Sequence, residues 1–99
     1  MRVVHLIVFI IISITSGFSQ SIFKAIVKNS ETSEPLAGAS AVVQGTAIGS
    51  TANQNGLIEI QNVPDGQHKI EFSFVGYQSQ TITITFPMGS EAPIEILLE

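Results

Sequence analysis

Along residues 69–75 every second side chain is large and apolar: Ile70, Phe72 and Phe74 alternate with Lys69, Glu71 and Ser73. A period of two places one set on each face of a β-strand, so this segment is predicted to be a strand sending three large side chains into a core. Thr81, Thr83 and Thr85 alternate with Ile82, Ile84 and Phe86 just beyond Gly76 and Tyr77, which predicts a second strand and a hairpin between the two. Residues 22–28 repeat the pattern, with Phe23, Ala25 and Val27 on one face and Lys24, Ile26 and Lys28 on the other. Ala39, Ala41 and Val43 carry it again, Ile58 and Ile60 carry it between Leu57 and Glu59, and Ile94, Ile96 and Leu98 carry it to the end, with Leu97 off-pattern.

Breakers divide these strands. Residues 29–34 are a polar loop, and Pro35, without an N–H, suits a strand's edge. Residues 35–56 read as strand, bend, strand and turn: Gly45 and Gly49 stand where a β-bulge or a close backbone approach excludes a side chain, and Asn55-Gly56 is the dipeptide of a type I′ turn. Asn62-Val63-Pro64-Asp65-Gly66 is a turn by composition, and residues 87–93 form the last loop. Nowhere does apolar spacing of three and four persist long enough for a helix. Seven short strands at near-regular spacing predict an all-β fold, a β-sandwich.

Ahead of the strands, Met1-Arg2 is a short positive start, residues 3–14 are an almost unbroken apolar run, and residues 13–20 are small and polar. This reads as a signal peptide over residues 1–19, with Gly17 and Ser19 as the small residues before a cleavage that leaves Gln20 first. The run holds only 12 residues, His5 among them, whereas a transmembrane helix needs ~20, so an anchor is the lesser alternative and the mature domain, residues 20–99, carries no transmembrane segment.

The 99 residues allow one domain, and 44% apolar with 12% charged residues is a folded rather than disordered profile. Net charge is −4, and loss of Arg2 leaves −5. A mildly acidic domain without a basic patch is not expected to bind nucleic acid or anionic lipid. Cysteine is absent, which excludes disulfides, thiolate metal sites and a lipid-modified N-terminal Cys. A core of this size supplies only ~3–5 kcal/mol, so modest stability or support from neighbouring domains is expected. A chain that ends on a strand is also expected to continue.

Candidate chemistry is sparse. His68 is the one histidine after the leader, with no HExxH or GxSxG pattern, and it shares strand parity with Ile70 and Phe72; a hydrogen-bonded place at the core's rim is favoured over catalysis. Glu31 and Glu34 share a loop that could offer Ca²⁺ a pair of carboxylates, but such a site wants roughly six to eight oxygens, and a solvated loop is favoured. Residues 45–51 have the glycines of a phosphate loop without its Lys or helix. Tyr77 is expected at a corner, ring in the core and hydroxyl bonded to nearby backbone. The Thr81/Thr83/Thr85 row is either an ordinary wet strand face or an edge open to strand addition. No catalytic, metal or cofactor residue is therefore assigned.

Pro35-Leu36, Gly38-Ala39, Val43, Gly45-Thr46, Gly49-Ser50-Thr51 and Gly56, followed by Val63-Pro64-Asp65-Gly66 and Phe72-Ser73-Phe74-Val75-Gly76-Tyr77, resemble in order and spacing the carboxypeptidase regulatory-like domain. The resemblance runs from about residue 23 to 99. Ala25, Ala41 and Asn53 depart from it, Asn53 standing where the pattern often has Asp. It implies a seven-stranded Greek-key β-sandwich of transthyretin-like (prealbumin-like) form. It also implies a non-enzymatic role without a cofactor, exported to the periplasm or outer membrane of a Gram-negative bacterium. There such a domain precedes the TonB box, plug and barrel of TonB-dependent receptors involved in nutrient uptake, and its partners would be the plug and barrel or proteins that meet the receptor. Alternatives are an accessory domain of a secreted or surface enzyme, such as a zinc carboxypeptidase whose ligands are absent here, and a free-standing carbohydrate or peptide binding module.

Overall fold

A computed structural model describes residues 21–89 and 92–99; the signal peptide expected over residues 1–19 and its expected cleavage site lie outside them. The described residues form seven strands in two sheets. β1 (Ser21–Asn29), β4 (Leu57–Val63) and β7 (Ile94–Leu98) make a three-stranded sheet in the order β4-β1-β7. β2 (Ser40–Val43), β3 (Gly49–Thr51), β5 (Gly66–Ser73) and β6 (Gln80–Phe86) make a four-stranded sheet in the order β3-β2-β5-β6. β1 pairs antiparallel with β4 and parallel with β7, while every pairing in the larger sheet is antiparallel. Only the β2–β3 and β5–β6 connections stay within a sheet; the others cross, and the result is the expected all-β Greek-key sandwich.

The core follows from the period of two. Phe23, Ala25 and Val27 of β1, Ala41 and Val43 of β2, Ile58 and Ile60 of β4, Ile70 and Phe72 of β5, and Ile96 and Leu98 of β7 face inward and are buried. Phe23 joins the two layers. Its ring centroid lies 6.2 Å from that of Phe72 and 6.2 Å from that of Phe86, the latter edge-on, a geometry aromatic quadrupoles favour.

Four local expectations need correction. The strand at residues 69–75 starts earlier, at Gly66, and ends at Ser73, so Phe74 is only half-buried and two large side chains of that segment, not three, fill the core. The strand at Ile58 and Ile60 continues to Val63, which is fully buried. Its parity changes at a bulge, where pairing with β1 slips between Ser21↔Val63 and Phe23↔Ile60; Asn62 takes φ +62° there, and the extra residue returns Val63 to the inner face.

The Asn55-Gly56 turn is not type I′, because among the described residues only Ser33 and Asn62 are non-glycines with positive φ. Asn53 organises it instead. Its Oδ1 accepts from the N–H groups of Asn55 (2.9 Å) and Leu57 (3.1 Å), its carbonyl accepts from Gly56 N–H (2.9 Å), and its own N–H donates to Leu57 carbonyl (3.0 Å). An acceptor is all the position uses, so Asn serves where Asp is the commoner choice. Gly56 is required twice over, by φ +78° and because a Cβ would lie 2.6 Å from the Val27 carbonyl oxygen. Of the other glycine pair, Gly49 is the close approach, where a Cβ would lie 2.7 Å from the Ala41 carbonyl oxygen, while Gly45 turns the chain in open space.

Candidate functional site

The sandwich disperses the candidate residues. His68 is half-buried near the start of β5; its Nε2 lies 3.0 Å from the Pro64 carbonyl and its ring 6.0 Å from that of Phe86, a hydrogen-bonded rim position. Glu31 and Glu34 are exposed in the loop after β1, where their backbone N–H groups bond Asn29 Oδ1 (2.7 Å) and Thr32 Oγ1 (3.3 Å). No three His, Asp or Glu side chains gather among the described residues as a metal ion would need. Residues 45–48 form a hairpin turn. Thr46 Oγ1 donates to the Val43 carbonyl (2.7 Å) and accepts from Ile48 N–H (3.0 Å), and Val43 N–H donates to the Ile48 carbonyl, so the segment spends its polar groups on itself.

Tyr77 sits at the corner between β5 and β6, its ring half-buried 5.6 Å from that of Phe74. Its hydroxyl accepts from a side chain rather than pairing with backbone: Asn29 Nδ2 donates at 2.9 Å. The same Asn29 accepts from Glu31 and Thr32 N–H, so one amide ties the β1–β2 loop to the β5–β6 corner. Asn29 was hidden in the sequence because its partner stands 48 positions away.

Beside this corner lies a shallow cleft lined by Gly38, Ser40, Ser73, Phe74 and Val75. Ser40 and Ser73 hydroxyls are 3.1 Å apart, and Val75 is 93% exposed, the most open large apolar side chain described. Its only signal in the sequence is its place between Phe74 and Gly76, just past the point where the strand ends. A second shallow hollow lies among Ser30, Gln78, Ser79, Gln80, Leu97 and Glu99. Neither joins an acid, a base and a nucleophile, and what these surfaces offer is contact: an apolar tip, paired hydroxyls and sheet edges. The threonine row is exposed on β6, which ends the larger sheet.

No helix among the described residues is long and apolar enough to cross a membrane. None of the curated proteins matches the sequence. Solved structures with the same fold include one chain of a type II cohesin–X–dockerin complex from Acetivibrio cellulolyticus carrying an N-terminal interface mutation, at 18% identity and TM-score 0.63. The same complex with a C-terminal interface mutation gives 18% identity and 0.62. In each case 79% of this chain matches 56% of the other, so the chain spans just over half the length of those it resembles. The CarboxypepD_reg-like domain model matches residues 26–99, nearly the whole described sandwich, and the chain belongs to that family.

Proposed function

We propose that this CarboxypepD_reg-like sandwich is a non-catalytic, periplasmic N-terminal module of a TonB-dependent outer-membrane receptor, assisting nutrient uptake by contact rather than by chemistry. The observation that carries the reading is order: an apolar leader with a small-residue exit runs directly into the family's sandwich. Export is by cleavage after Ser19. The dispersed placement of His68, Glu31 and Glu34 supports a contact role, since none of the three lines either of the two hollows described above.

The gene sequence beyond codon 99 tests it. A short acidic and hydrophobic segment, then a plug and a long series of alternating strands with aromatic girdles, is the expected outcome. Deleting residues 21–99 from that protein should leave the barrel in the outer membrane and change growth on the receptor's nutrient; unchanged growth overturns the role in uptake. A second reading is an accessory sandwich beside a secreted or surface enzyme, and a catalytic domain after residue 99 would establish it.

A further inference from the structure

The four sheet edges of this sandwich are not equally protected. β3 is three residues long, β4 is bulged at Asn62, and β7 carries Glu95 with Glu99 just beyond it. Short length, bulges and charge are the usual means of keeping an edge from pairing. β6 has none of them. It is seven residues long, pairs with β5 in unbroken register from Gly66↔Phe86 to Phe72↔Gln80, and no charged residue occurs anywhere in residues 78–90. No described strand pairs with its other side. Two of its three inward apolar side chains are under-covered: Phe86 is buried, but Ile82 and Ile84 are half-buried, whereas Ile70, opposite Ile82 on β5, is 0% exposed.

The occupant is written into the strand. Thr81-Ile82-Thr83-Ile84-Thr85 reads the same in both directions. Two copies laid antiparallel about a two-fold axis at Thr83 set Thr81 opposite Thr85 of the second copy and Thr83 opposite its own equivalent, and the palindrome makes every such pair a match of like residues. Ile82 then meets Ile84 on the inner face. Threonine–threonine and β-branched pairs are favourable cross-strand neighbours, and an isologous contact is closed after two copies. We infer that β6 is a self-pairing edge through which a second copy of this chain joins its four-stranded sheet to this one, covering Ile82 and Ile84 at the seam. The inference does not depend on the receptor reading.

Cysteine is absent from the 99 residues, so cysteines placed on β6 report register in the full-length protein in its host, with any cysteine outside these residues changed to serine. Cross-strand partners hold their Cβ atoms about 5 Å apart, close to the reach of a disulfide. The two Thr81 positions, four residues out of register on neighbouring strands, would be about 14 Å apart. Under mild oxidation Thr83→Cys should link to itself, Thr81→Cys and Thr85→Cys chains should link when mixed, and Thr81→Cys alone should stay at background. Adding Thr83→Lys to both chains of the mixed pair should abolish their link, because two ammonium groups then meet at the axis, while each exposed side chain leaves the fold intact. Links of equal strength at Thr81 and Thr83, no link at any position, or a Thr83→Cys link to a different polypeptide would overturn the inference.

Discussion

Phe72 is 0% exposed, sits opposite Ala41 on β2, and tilts against Phe23 across the two layers. Truncating a buried Phe costs ~3–5 kcal/mol. A domain of this size commands about that much in total, so Phe72→Ala should leave most of the chain unfolded in water. Gln67→Ala, on the exposed side of the same strand, should move a urea midpoint by little. Similar midpoints for the two would mean the inner face is misassigned. Parity alone picks out Phe72, as it does Phe23, Ile70, Ile96 and Leu98, because a period of two is a property of the strand itself. It fails for Phe74, which continues the alternation in sequence after the backbone has left the sheet. It is silent on Asn29 and Tyr77, whose bond exists only because the fold brings two distant loops together.

At the scale of elements, strand existence is legible and strand ends are not. Asn62-Val63-Pro64-Asp65-Gly66 has the composition of a turn, yet its second residue is core, because a bulge adds one residue and reverses which side faces in. A positive φ at Asn62 is what the bulge demands, and it yields a measurable consequence. Left-handed backbone costs most residues ~1–2 kcal/mol and glycine almost nothing. Asn62→Val should therefore lower the thermal midpoint clearly, while Asn62→Gly should hold or raise it. Equal midpoints would show that the bulge relaxes at no cost. The turn at Asn53 carries a similar lesson: Asn-Gly alone suggests one turn type, but a side-chain acceptor two residues earlier selects another.

For the molecule as a whole, alternation supplies six of the seven strands and the breakers of residues 35–56 the seventh, and the order and spacing of the glycine, proline and aromatic motifs supply the family. Which strand neighbours which is not written in any local segment. The placement of β7 beside β1 joins the described chain's first strand to its last, and no period in the sequence encodes it. The candidate surface is less legible still, since Val75 and the β6 edge matter through what surrounds them. In β6, however, the palindrome is visible in the bare sequence once the sheet order shows that its edge is open.

The parallel register of β1 and β7, from Ala25↔Ile94 to Asn29↔Leu98, also governs how the domain would bear tension. Parallel neighbours start at the same end, so the beginning of β1 and the end of β7 lie at opposite poles, and a pull between Ser21 and Glu99 loads the whole ladder in shear. Pulling between Ser21 and Val63, which are paired at one pole in the antiparallel β1–β4 ladder, instead opens bonds one after another. In a single-molecule stretching experiment the first geometry should rupture at distinctly higher force than the second, and equal forces would show that β1–β7 is not the resisting contact. A fold whose first and last described strands are paired in this way transmits traction along those strands while peeling readily from the side.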